Sequence, residues 1–217
     1  MSCNIVVLAS GRGSNLRAII KGIKDGKING NISLVISNKK DAGALKIAKE
    51  NGIEAKFYDP AFFASRRGYD IYIAERIRKE NPDLVVLAGY MRILSDEFVE
   101  AFEGKLLNIH PSLIPAFQGL KAQKQAIEYG ARFTGCTVHF VEKELDNGAI
   151  IIQAVVPVLP DDTEETLSER ILKYEHKIYP QAIKWFCDGR IKKNGRNVII
   201  ENAKYGEVPV NPALEDF

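Results

Sequence analysis

The sequence predicts an α/β protein built on an open, mostly parallel, doubly wound sheet, with an antiparallel hairpin in its second half. Two patterns carry that expectation. Short runs at 5–8, 32–37, 84–88 and 106–109, rich in Val, Ile and Leu, and a fifth strand candidate at 54–58 alternate with stretches of helical period. Most of these runs are apolar on both faces, as parallel strands covered by helices above and below should be. A β-α-β-α order of this kind winds into one open sheet.

Each element has its own signal. Strand 5–8 leads through a glycine-rich turn into a helix on which Leu16, Ile19, Ile20 and Ile23 recur along one face. Strand 32–37 precedes a helical stretch over 42–51, and Gly52 offers the left-handed residue that ends helices. After strand 54–58, Tyr72, Ile73 and Ile77 mark a helix that stops before Pro82, because proline pushes the preceding residue out of helical geometry. Strands 84–88 and 106–109 complete the parallel set. Runs at 134–142 and 149–158, joined by 143–148, read as the antiparallel hairpin. Asp162-Thr163-Glu164-Glu165 opens a long helix with a capping box, Asp162 facing Glu165. Pro180 falls inside that helix and predicts a kink or break near Tyr179. No repeat, low-complexity tract or linker divides the chain. One domain is expected over 1–201, with an aperiodic surface tail over 202–217.

Composition excludes several classes. Thirty basic residues against 28 acidic ones leave a net charge of +2, no basis for expecting nucleic acid or an anionic membrane as partner. The longest apolar runs, such as Leu84-Val85-Val86-Leu87-Ala88, are too short to span a bilayer. The N-terminus enters the first strand with no basic segment or cleavage site of an export signal. Cys3, Cys136 and Cys187 are scattered and fit neither a disulfide framework nor a zinc site, so reduced thiols, no metal and a cytoplasmic location are expected.

Chemistry concentrates in three turns. Ala9-Ser10-Gly11-Arg12-Gly13-Ser14-Asn15-Leu16 follows strand one and opens helix one. Its glycines allow tight turning and close backbone approach, Ser14 or Asn15 can cap the helix, and free amides at a helix N-terminus attract an anion such as phosphate. The plainer reading is that the glycines only shape a turn. A dinucleotide fold is disfavoured: position 16 is Leu rather than a third Gly, and strand two ends in Ser37-Asn38-Lys39-Lys40 with no ribose-binding acid.

Asn108-Ile109-His110-Pro111-Ser112 stands at the carboxyl end of a buried strand, where open sheets bind ligands. Residues two apart on a strand point the same way, so the Asn108 amide and His110 imidazole converge on one spot. Such a pair suits polarising a carbonyl or protonating a leaving nitrogen, although a histidine in such a place, taken alone, is more often a hydrogen-bonded structural residue. The hairpin loop offers Asp146, which reads by default as a solvated turn acid before Asn147-Gly148. His139 and His176 read as structural. Cys136 reads as packing, since no histidine beside it would activate the thiol.

These motifs together resemble one family. Gly11-Arg12-Gly13-Ser14-Asn15-Leu16, Ala88-Gly89-Tyr90-Met91-Arg92-Ile93-Leu94, Asn108-Ile109-His110-Pro111-Ser112 and Glu144-Leu145-Asp146-Asn147-Gly148-Ala149-Ile150-Ile151 are similar, in order and spacing, to the folate-dependent formyltransferases, and most of all to their purine-biosynthesis branch. The resemblance covers about 4–190. It implies a Rossmann-like formyltransferase fold and transfer of a formyl group from 10-formyltetrahydrofolate to the amine of glycinamide ribonucleotide. Asn108, His110 and Asp146 are the implied catalytic trio. The resemblance further assigns the substrate to Gly13, Ser14, Asn15, Leu16, Arg17, Gly119 and Glu175. The folate falls to Arg66, Met91, Arg92, Ile93, Leu94, Asn108 and Val141, with backbone groups around Met91–Leu94 reading the pterin. Small molecules are the implied partners, to a monomer or homodimer. Two positions depart from the family pattern: Gln118 replaces the usual Pro, and Lys121 the frequent His, which implies altered stiffness of that loop. Formyltetrahydrofolate hydrolase and a transfer-RNA formyltransferase share the trio but are expected to carry an additional domain. A non-catalytic nucleotide-binding module is the reading from outside the enzymes.

Overall fold

The structure is a computed structural model and describes residues 2–204. In chain order it contains β1 (Cys3–Leu8), α1 (Ser14–Lys24), β2 (Gly30–Ser37), α2 (Gly43–Glu50), β3 (Glu54–Phe57), a short 3-10 turn (Pro60–Phe62), α3 (Arg66–Arg78), β4 (Leu84–Leu87) and α4 (Asp96–Ala101). There follow β5 (Leu106–His110), α5 (Ala122–Tyr129), β6 (Phe133–Phe140), β7 (Ile150–Pro157), α6 (Glu164–Cys187), β8 (Ile191–Asn194) and β9 (Asn197–Ile200). Of the expected tail, everything from residue 205 lies outside the described residues.

Seven strands form one sheet in the order β3-β2-β1-β4-β5-β6-β7. The first five run parallel, and β6 and β7 join antiparallel to β5 and to each other. The expected hairpin therefore extends the main sheet. Winding proceeds from β1 outward to β2 and β3, then returns to β4 on the other side of β1. A crevice opens at that reversal, beyond the carboxyl ends of β1 and β4.

Alternation along β1 sends Ile5 and Val7 into one core and Val6 and Leu8 into another. The first core is closed by α1, α2 and α6 through Leu16, Ile19, Ile47, Ile171 and Ile183. The second is closed by α3 and α4 through Tyr69, Ile73, Ile77 and Phe98. Both faces of the sheet are covered, which explains the continuous apolar runs. The edge strand β3 is the exception, with Glu54 and Lys56 exposed.

Local details differ from expectation in three places. The capping box of α6 is Thr163 with Thr166, not Asp162 with Glu165. Asp162 is instead taken by Arg170, which donates to both carboxylate oxygens at 2.6 and 2.7 Å. Nor does α6 break at Pro180; it continues to Cys187. Seven residues of α6, including Ile178, Tyr179 and Ala182 around the proline, are buried, and that packing outweighs one lost backbone hydrogen bond. Tyr179 also directs its hydroxyl to the Leu87 and Leu107 carbonyls, both at 3.0 Å, tying α6 to the strands that carry the site. Finally, the β8–β9 hairpin has no counterpart in the apolar pattern, since its strand IKKN is largely exposed.

Candidate active site

Asn108 and His110 share one face of β5, as their spacing requires, and β6 pairs with that strand so that Asn108 lies opposite His139. Beyond β6 the chain turns through 141–149, carrying Asp146 back over the carboxyl end of β5. His110 Nδ1 lies 3.3 Å from Asp146 Oδ2, with both side chains buried. On the other side of the ring, Nε2 lies 2.9 Å from the Phe117 carbonyl. The Phe117 carbonyl can only accept, so Nε2 carries a proton in that hydrogen bond, while Asp146 stands at ion-pair distance from Nδ1. Asp146 also accepts from the Gly119 amide at 2.9 Å. Asp146, expected as a solvated turn acid, is 8% exposed.

His139, expected from the sequence to be structural, belongs to the same cluster. Its Nδ1 is 2.8 Å from the Phe140 carbonyl, which can only accept, so Nδ1 carries the proton. Burial lowers its pKa, favouring the neutral ring. Nε2 is then an acceptor for the Asn108 amide at 3.2 Å, which orients that amide and leaves its second N–H free. No feature of the strand sequence VHF distinguishes this role from core packing; only the cross-strand register does.

The trio stands on the wall of a cleft of about 600 Å³. Leu87, Ile93, Leu94, Val141 and Leu145 supply apolar walls, and Gly119 and Lys121 close one side. Met91 is 62% and Ile93 55% exposed, so the cleft leaves apolar side chains open to a ligand. A neighbouring depression of about 650 Å³, between α4 and β8–β9, is lined mainly by charges that satisfy one another, Lys143 with Glu100 and Lys193 with Glu142. The apolar cleft with converging polar groups is the better candidate site.

The remaining expected residues divide. Met91, Arg92, Ile93, Leu94 and Val141 line the cleft. The Arg92 guanidinium, however, turns inward, 4.4 Å over the Tyr69 ring and 3.8 Å from Asp70, so this residue presents its backbone. Arg66 begins α3, exposed and outside the cleft lining. At the glycine turn, Gly13 has φ 81 and is the N-cap of α1, with no side-chain cap from Ser14 or Asn15. Its lack of a side chain serves helix packing, since a Cβ there would lie 2.7 Å from Ala44 Cα. Leu16 is fully buried, leaving only its amide for a ligand, and Arg17 is exposed. Asn15 reaches across to α6 instead of capping, donating to Glu175 Oε2 at 2.7 Å. Burial raises the Glu175 pKa, and the Asn15 hydrogen bond opposes that rise. The turn adjoins the cleft: Ser10 Oγ accepts from the Met91 amide at 2.8 Å.

The chain is similar to known proteins in sequence and in fold. The formyl transferase family model matches residues 3–183. The phosphoribosylglycinamide formyltransferase of Escherichia coli K12 is 50% identical over 189 residues, covering 87% of this chain and 89% of that protein. The trifunctional purine biosynthetic protein adenosine-3 of Drosophila melanogaster is 46% identical over 85% of this chain, which spans 14% of that longer protein. Among solved structures, glycinamide ribonucleotide transformylase 1 from Symbiobacterium toebii superposes with a TM-score of 0.90 at 50% identity, covering 92% of this chain and 94% of its own. Matched in sequence and in fold over most of its length, the chain belongs to the formyl transferase family.

Proposed function

We propose that this chain transfers the formyl group of 10-formyltetrahydrofolate to the amine of glycinamide ribonucleotide, with Asn108, His110 and Asp146 as catalytic residues. The contact of 3.3 Å between His110 and Asp146, beside Asn108 on the wall of an apolar cleft, carries the reading. The amine is itself the nucleophile, so the protein need not supply one. Its attack on the formyl carbon makes a tetrahedral centre whose oxygen gains negative charge, and collapse of that centre breaks the bond from the formyl carbon to the folate nitrogen, which leaves as the amine. The free N–H of Asn108 and an N–H of His110 donate to that oxygen. In the structure His110 Nε2 is bonded to the Phe117 carbonyl, so the formyl oxygen must displace that carbonyl to take its N–H. Asp146 stabilises the imidazolium and assists, through water, as the amine loses its proton and the folate nitrogen gains one. Proton transfers of this kind contribute on the order of 10²–10⁴-fold.

The cleft suits a flat pteridine: apolar side chains for its faces, and the Met91–Leu94 backbone for its polar edge. The uncapped amides of α1 suit the ribonucleotide phosphate. The buried Glu175 carboxylate, bonded to Asn15, suits the glycinamide end. Among the described residues no helix is long and apolar enough to cross a membrane, and no acid, histidine and thiol cluster would hold a metal. Work in the cytosol, as a monomer or homodimer free of nucleic acid, completes the proposal.

The test is a spectrophotometric assay with 10-formyltetrahydrofolate, with and without glycinamide ribonucleotide. Deformylation only in the presence of the amine is the expected result. Deformylation at equal rate without it would make the chain a hydrolase, and none in either case would remove the catalytic reading.

A further inference from the structure

Resting on that reading, we propose that Gln118 is a positioning residue for the reaction, clasping the loop that carries Asp146 and so holding its carboxylate on His110. Three consecutive residues close on the His110–Asp146 pair. The Phe117 carbonyl accepts from His110 Nε2 at 2.9 Å, and the Gly119 amide donates to Asp146 Oδ2 at 2.9 Å. These two are backbone contacts. Between them, the Gln118 side-chain amide donates to the Asp146 carbonyl at 2.8 Å and to the Leu145 carbonyl at 3.3 Å. That contact exists only because residue 118 is a glutamine, where the resemblance leads one to expect proline.

The two carbonyls belong to the two peptide planes that flank the Asp146 Cα. Rotation about φ turns one plane and rotation about ψ the other, so one NH₂ group bonded to both holds both angles. Asp146 needs such a hold: its φ is 45°, in the left-handed region that a residue with a Cβ rarely adopts. Released, the residue would relax toward negative φ and swing its carboxylate away from the imidazole. The clasp has a firm base, because the Gln118 carbonyl accepts from Gln125 of α5 at 3.0 Å. Gln118 is absent from the cleft lining, whereas Gly119, Leu120 and Lys121 belong to it. It therefore acts through Asp146 and not on a substrate.

Gln118→Leu keeps the bulk of the side chain and removes both donors. Gln118→Glu keeps the shape and substitutes acceptors that face two carbonyls. In each variant kcat for formyl transfer is expected to fall about tenfold, the scale of one hydrogen bond, with KM for both substrates within about twofold of wild type. In an Asp146→Asn background the same substitutions are expected to cost nothing more, because the group they position is already gone. Additive losses, or a raised KM with unchanged kcat, would overturn the proposal. Hydrogen exchange of the Gly119 amide, whose acceptor is the Asp146 carboxylate, gives a readout without substrate and is expected to quicken about tenfold. Unchanged protection of Gly119 would sink the clasp whether or not the protein transfers formyl groups. Quickened exchange in a chain whose wild type shows no amine-dependent transfer would sink the functional reading alone.

Discussion

Gly148→Ala tests whether the placement of Asp146 governs turnover. An added Cβ would lie 1.7 Å from the Phe140 carbonyl oxygen and 2.8 Å from its carbon. A carbon and a carbonyl oxygen approach to about 3.3 Å, so the gap must widen by roughly 1.5 Å. Phe140 has little room to yield. It pairs with Leu107 of β5, its amide donates to Ala149, and its carbonyl is bonded by His139. The strain falls on the loop, where Asp146 is two residues away. A shift of that size opens the contact of 3.3 Å with His110 beyond ion-pair distance. Misplacement of a catalytic group by about 1 Å costs on the order of 10²-fold in rate. Overpacking should cost roughly 1–3 kcal/mol of stability, lowering Tm by several degrees without unfolding the domain. The assay is kcat for formyl transfer alongside a circular-dichroism melt. A folded variant turning over within threefold of wild type would refute the reasoning.

Four further outcomes follow from the geometry. His110→Ala should lower kcat by about 10²–10⁴-fold with the fold retained; near-normal turnover in a steady-state assay would remove the imidazole from the mechanism. Ser14→Asp places a carboxylate at the uncapped amides of α1 and should weaken glycinamide ribonucleotide binding while sparing the folate, and equal weakening of both in calorimetry would contradict the phosphate assignment. Glu175 has its pKa raised by burial, so its ionisation opposes folding as pH rises above the ordinary carboxyl range. Glu175→Gln should therefore melt higher than wild type at pH 8, equally at pH 4, and show a raised KM for the amine; a lower melting temperature at pH 8 would count against the buried-charge argument. Asp162 is held down to about 2 by its hydrogen bonds to Arg170. Its stabilisation is complete above the ordinary value of 3.8 and disappears as pH falls through about 2. Asp162→Asn should cost about 1 kcal/mol at pH 7 and much less at pH 2, so an equal loss at both pH values in denaturant melts would exclude the ion pair as the cause.

Local chemistry accounts for what was legible in the chain. Parallel strands buried on both faces must be continuously apolar, so β1, β2, β4 and β5 were visible as runs, and helices packed by one face showed their period at Leu16, Ile19 and Ile20. The amphipathic signal fails where burial is slight, which hid β8–β9. α6 runs unbroken through Pro180 because contacts distant in sequence hold it together, and Asp162 is not the cap because Arg170, two turns into the helix, competes for the carboxylate.

The site divides along the same line. That Asn108 and His110 face one way is a property of any extended strand, and the chain alone determined it. The choice of Asp146 as their partner, the orienting of Asn108 by a neutral His139, the inward turn of Arg92 and the meeting of Asn15 with Glu175 are tertiary facts. Each depends on the pairing of β6 with β5, the packing of α6 on α1 or the position of α3 beside Arg92, register and docking choices that residues far apart make together. Spacing along a chain carries direction but not distance, and the proposed chemistry turns on distance.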